Sequence, residues 1–136
     1  MSSFKLFEIA GSGMSAESTR LNAVASNLAN ANTVAGRPED VYRARAVIFE
    51  EVRSQLARDE GSAVRVSQVV QSDKAPLTRY EPGNPLANAE GYVYVPDISA
   101  VEQMVDMIAA SRAYKNNVEV MNTTRDLMLA TLRLGQ

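Results

Sequence analysis

The chain has no cysteine, no histidine and no tryptophan, and only 6 % of it is aromatic. Without cysteine there is no disulfide framework, no thiolate metal site and no cysteine nucleophile. Without histidine the usual general base near neutral pH is missing, and so is the commonest metal ligand. Neither sign of charge prevails, with 14 basic residues against 16 acidic ones. No run of Lys or Arg forms a stripe that could track phosphates, so nucleic acid is not an expected partner. No apolar run approaches the ~20 residues that a bilayer span needs. Glu8, Gly11, Ser12 and Gly13 interrupt the N-terminal segment where an apolar signal core would lie. A Sec-type leader is therefore not expected.

What is present favours helices. The 136 residues suffice for one modest domain, and 46 % are hydrophobic, mostly Ala, Val, Leu and Met. Residues 99–134 contain no proline or glycine. They open on Ser99-Ala-Val-Glu102, the spacing of a capping box, and close on Arg133 and Gly135, a cation and a left-handed-tolerant residue suited to a helix C-terminus. One stripe along this segment reads Val101, Met104, Val105, Ile108, Ser111, Val118, Met121, Met128, Leu132. A second line at seven-residue spacing reads Met107, Tyr114, Met121, Met128. Such a face either covers its own domain's core or seeks a partner helix. A helix of roughly 50 Å in so short a chain favours the partner.

At the other end Phe7, Met14, Leu21 and Leu28 fall at heptad spacing, so residues 3–30 are expected to form a helix with a narrow, seam-like stripe. Gly11 and Gly13 either break it or admit the close approach of another backbone. The segment runs into Ala25-Ser-Asn-Leu-Ala-Asn-Ala-Asn-Thr33, then Gly36 and Pro38. Asn27, Asn30 and Asn32 either end the helix in an Asx-rich turn or make contacts. Asn116, Asn117 and Asn122 repeat that enrichment in the later helix, where a buried asparagine could fix register.

Between the helices, residues 42–53 alternate: Tyr42, Ala44, Ala46 and Ile48 on one face, Arg43, Arg45, Val47 and Phe49 on the other. Residues 64–70 are similarly β-rich. With a polar turn over residues 54–61, ending in Asp59-Glu-Gly61, the two runs predict a β-hairpin. A lone hairpin is marginal in water, so it should pack on a helix, a third strand or a neighbour. Pro76, Pro82, Gly83 and Pro85 predict a loop with little regular structure, and Tyr92-Val-Tyr-Val95 a short strand before the long helix.

No catalytic constellation emerges. Glu50 and Glu51 would point to opposite faces of a strand. Glu102 and Asp106 would share a helix face as dipole-favourable acids. No phosphate-binding loop, dinucleotide fingerprint or nucleophile elbow appears. No enzyme activity, cofactor, metal or small-molecule substrate is expected.

The string at residues 25–33 closely resembles the N-terminal motif of bacterial flagellar rod and hook proteins. Val101-Glu-Gln-Met-Val-Asp-Met-Ile108, Ser111-Arg-Ala-Tyr114 and Asn117-Val-Glu-Val-Met-Asn-Thr123 resemble the matching C-terminal motif. The ending Leu127-Met-Leu-Ala-Thr-Leu-Arg-Leu-Gly-Gln136 and the short middle are most similar to the C-type proximal rod branch of that family. The resemblance covers the whole chain.

It implies a mainly α fold with a small β insertion: an N-terminal helix (1–35) and a C-terminal helix (98–136) paired as an antiparallel coiled-coil-like domain around a β-rich insertion and Pro-rich loop (36–97). It also implies a structural subunit of the flagellar rod, self- and co-assembling in a helical array around the export channel and transmitting torque from the membrane rotor to the hook. Expected partners are copies of itself, other rod proteins, rotor-side ring or adaptor proteins and the flagellar type III export apparatus. The expected location is the basal body, where the rod crosses the periplasm, reached without a cleaved signal peptide. Residues expected in helix pairing and subunit assembly are Phe7, Met14, Leu21, Leu28, Asn27, Asn30, Asn32, Met104, Ile108, Tyr114, Asn117, Val118, Met121 and Met128. The alternative is a cytoplasmic helical adaptor or export chaperone that binds partners helix-in-groove.

Overall fold

The computed structural model describes residues 3–53 and 61–135. Helix α1 (Ser3–Asn30) leads through a short 3₁₀ turn (Pro38–Asp40) into strands β1 (Arg45–Val52) and β2 (Ala63–Gln71), then β3 (Leu77–Tyr80), β4 (Tyr92–Val95) and helix α2 (Ala100–Leu134). The expected order of helix, small β insertion and helix is the observed one. Residues 54–60, which hold most of the turn expected between β1 and β2, lie outside the described residues.

Helix α1 runs unbroken through Gly11 and Gly13. The glycines differ in what surrounds them. A Cβ at Gly11 would meet open space, whereas one at Gly13 would lie 2.8 Å from Asn117 Nδ2. Gly13 is thus a place where α2 approaches α1 closely, and neither glycine breaks the helix. At the head of α2 the Ser99 hydroxyl accepts from the Glu102 amide at 3.3 Å, one arm of the expected box. At its foot Gly135 has φ −91°, so the left-handed freedom expected of this residue is not used.

Strands β1 and β2 pair antiparallel from Arg45↔Gln71 to Val52↔Ala63, with an irregularity between Ile48 and Phe49. This is the expected pairing, and it rests on α1. At its base Arg45 is tied to Asn27 through both backbone groups, at 2.8 and 2.9 Å. Towards its far end the Val64 amide donates to Ser12 Oγ at 3.1 Å. Cross-strand Arg65 holds Glu50 at 2.9 Å, while Glu51 turns to Arg53 at 3.0 Å.

The Pro-rich stretch is more ordered than its composition suggests. Leu77–Tyr80 is a strand paired antiparallel with β4, where a loop with little regular structure was expected. The difference has a local cause: the prolines at 76, 82 and 85 flank the strand and leave its four amides free to pair. Gly91 turns the chain back with φ +86°, and a Cβ there would lie 2.8 Å from the Tyr80 ring, so only glycine fits. The Tyr80 and Tyr92 rings then meet at 5.2 Å. On its other edge Tyr94 exchanges two 2.9 Å backbone bonds with Ala35, and Val93 and Val95 point inward. The β elements therefore form two separate two-stranded sheets.

Candidate assembly surface

The contacts between α1 and α2 run in opposite orders along the two chains. Asn27 bonds Gln103 at 3.0 Å, Arg20 bonds Asp106 at 3.3 Å, and Gly13 lies under Asn117. Asn27 and Gly13 are 14 residues apart, as are Gln103 and Asn117. The helices are therefore antiparallel and stay in step over this stretch.

The inner line of α2 is Gln103, Ala110, Asn117 and Thr124, at seven-residue spacing. Ala110 is 0 % exposed and Thr124 is buried, with its hydroxyl returned to the Val120 carbonyl at 2.7 Å. On α1 the buried residues are Ala10, Ala16, Ala23, Val24 and Asn27, with Ala31 just past its end. Small side chains at the centre of the seam let the two backbones approach, as they do where Gly13 meets Asn117. Arg20 reaches across it to Asp106 and also lies 3.8 Å from Glu17. Among the described residues, Glu17 Oε2 is the buried side-chain oxygen without a hydrogen-bond partner.

The large apolar residues lie elsewhere. Val101 (71 % exposed), Met104, Val105 and Ile108 (55 %) form a stripe at steps of three, one and three on the outside of α2. The same helix exposes Val120, Leu127, Leu129, Leu132 and Leu134. Carried on from the 14-residue match, the register sets Leu127 opposite Ser3, the first residue of α1. Residues 129–134 of α2, all exposed, then extend about 9 Å past that point. The accessible surface of the chain is 9484 Å², against roughly 7000 Å² for a compact chain of its mass.

The expected assembly residues are accordingly divided. Phe7, Met14, Leu21 and Leu28 flank the seam, half-buried, as do Tyr114, Val118, Met121 and Met128 on α2. Met104 and Ile108 face outward. Asn32 is exposed. Asn30 turns back on its own helix: its side-chain amide donates to the Ser26 carbonyl at 2.8 Å, and its backbone carbonyl accepts from the Thr33 hydroxyl at 2.8 Å. Asn27 is buried and also fully engaged within the chain. Gln103, Ala110 and Thr124, central to the seam, were not singled out from the sequence because none is strongly hydrophobic. The available signal was their seven-residue spacing, half a heptad away from the methionine line. Among the described residues no helix is long and apolar enough to cross a membrane.

The fold is thus an antiparallel helix pair with a narrow internal seam and a broad apolar face that the chain itself leaves uncovered. The family model described as "Flagella basal body rod protein" matches residues 7–36, and that described as "Flagellar basal body rod FlgEFG protein C-terminal" matches residues 89–134. The chain is 48 % identical to the flagellar basal-body rod protein FlgC of Yersinia enterocolitica and 47 % identical to that of Escherichia coli O157:H7, in each case over the full length of both chains. It is 30 % identical to FlgC of Bacillus subtilis, again over the whole of both. The chain belongs to the FlgC family of flagellar basal-body rod proteins, and as such it is a structural subunit of the rod.

Proposed function

We propose that this subunit stands in the proximal rod, assembling with copies of itself and with other rod proteins in a helical array around the export channel. In that array residues 1–35 and 98–136 act as one helical domain, with coiled-coil-like packing along the seam, and residues 36–97 as an insertion that meets neighbours. The array is a shaft that carries torque from the membrane rotor towards the hook. Open arrays need heterologous contacts, in which one face meets a different face of the next copy. The observation that carries this reading is the outward stripe Val101, Met104, Val105, Ile108, which the chain's own fold leaves uncovered. Phe7, Met14, Leu21 and Leu28, with Tyr114, Val118, Met121 and Met128, complete the seam from its flanks. Met104, Ile108, Asn32 and the projecting end of α2 meet neighbours.

Rotor-side ring or adaptor proteins would receive the inner end of the shaft, and the type III export apparatus would deliver the subunit across the inner membrane without a cleaved signal peptide. A deletion strain tests the reading. It should lack hook and filament and regain them on complementation, and a motile deletion strain would sink the proposal. A stable, protease-resistant dimer of the purified chain in dilute solution would point instead to a cytoplasmic adaptor.

A further inference from the structure

The Asn27 side chain sits where three elements meet, on α1, beneath the start of β1 and against the first turn of α2. It is 3 % exposed. A carboxamide offers two N–H donors and two acceptor lone pairs, and all four are used. Oδ1 accepts from the Arg45 amide at 2.8 Å and from the Tyr42 hydroxyl at 3.0 Å. Nδ2 donates to the Arg45 carbonyl at 2.9 Å and to Gln103 Oε1 at 3.0 Å. Towards Arg45 the amide imitates a neighbouring strand, since it pairs with both backbone groups of one residue. The Ser72 amide donates to the Ala44 carbonyl at 2.8 Å, so residue 44 bonds across the sheet and Arg45 presents its groups to the open edge. Asn27 fills that edge.

The fourth bond comes from a different element. If α2 leaves α1, Nδ2 loses its Gln103 acceptor and the side of the carboxamide that α2 covered opens to water, which then competes for the bonds that seat Arg45. If the hairpin leaves, the carboxamide loses three of its four partners and no longer holds Gln103 in place.

We infer that Asn27 is a clasp that makes the seating of the β1–β2 hairpin and the closure of α2 over α1 a single step. This rests on the rod reading for its use: a subunit with unpaired helices would not present its hairpin to a neighbour, so the hairpin surface becomes available only after the helices close.

Amide hydrogen exchange on the full chain tests it, read by peptide mass spectrometry across a titration with trimethylamine N-oxide, an osmolyte that strengthens burial. In the native sequence, hairpin peptides from residues 45–52 and 63–71 and peptides from the first three turns of α2 should gain protection over the same osmolyte range. Gln103→Ala, a change on α2 alone, should lower hairpin protection about tenfold together with that of α2, whereas Gln103→Glu keeps an acceptor and should retain it. From the other side, Tyr42→Phe should loosen the start of α2, because coupling is reciprocal. Hairpin protection at osmolyte levels where α2 still exchanges freely would overturn the clasp. So would a Gln103→Ala effect confined to α2, or a Tyr42→Phe effect confined to the hairpin. Motility of the deletion strain bears on the rod reading alone, so the two ideas fail separately.

Discussion

The two faces of α2 invert the usual relation between hydrophobicity and burial. Its inner line is glutamine, alanine, asparagine and threonine, and these residues lie against α1. Its outer stripe is valine, methionine, valine and isoleucine, and these lie in solvent. In a self-contained domain the large apolar residues would be inside. Here the internal contact asks for close approach, which small side chains provide, and the large side chains remain free to be buried later. At about 25 cal/mol per Å² of apolar surface, burying even part of the outer stripe between subunits adds several kcal/mol that folding alone leaves unused. In the proposed assembly, stability of the subunit and strength of the joint would thus be carried by different faces of one helix.

That division can be broken experimentally. The largest effect should come from the outer face: Val105→Asp together with Ile108→Asp should abolish incorporation and swimming while changing the stability of the isolated chain by no more than about 0.5 kcal/mol per site. Motility assays with thermal unfolding followed by circular dichroism would show it, and full motility would mean that the stripe is not a joint. On the inner face Ala110→Leu should act the opposite way, destabilising the fold by about 1–3 kcal/mol through overpacking of a fully buried site, seen as a lower urea midpoint.

The glycines of α1 sharpen the same contrast at smaller scale. Gly11→Ala enters open space and should stabilise the chain by about 1 kcal/mol through helix propensity. Gly13→Ala should yield less, because the Asn117 amide must move aside, and an equal gain at both sites would show that the seam is loose at Gly13. The smallest expected effect lies away from both faces. The Asn84 amide, and then Arg79, hold the Glu81 carboxyl below its ordinary value of 4.5. A group whose pKa is lowered on folding stabilises the fold above its unfolded value, and that contribution is lost as pH falls through the lower, folded one. Acidification below about 4.5 should therefore loosen the turn after β3 slightly, measurable as faster exchange of the Asn84 and Gly91 amides, with the α1–α2 seam unchanged at Ala110.

Much of this was legible in the residues. Ser99 and Glu102 marked the head of α2, and the asparagine-rich string marked the foot of α1 at Asn30. Alternation over residues 42–53 and 64–70 marked the β1–β2 pair. Other features were not legible, for identifiable reasons. The strand Leu77–Tyr80 has proline on both sides, which hides a segment whose own four residues are free to pair. The methionine line of α2 and its valine–isoleucine stripe are equally periodic, and period alone does not say which one meets α1. The asparagines looked alike in sequence, yet Asn27 ties three elements together, Asn30 finishes its own helix and Asn32 faces outward.

Local chemistry by itself determined where the helices and the first strand pair lie and, through two motifs in order, the family, because caps, periodicity and β-branching act over a few residues. Only the tertiary structure decided which face of α2 is internal. That choice depends on the distance between two backbones, set where Gly13 and Ala110 leave room for the opposite helix. The same proximity places Gln103 beside Asn27, a contact between residues far apart in the chain.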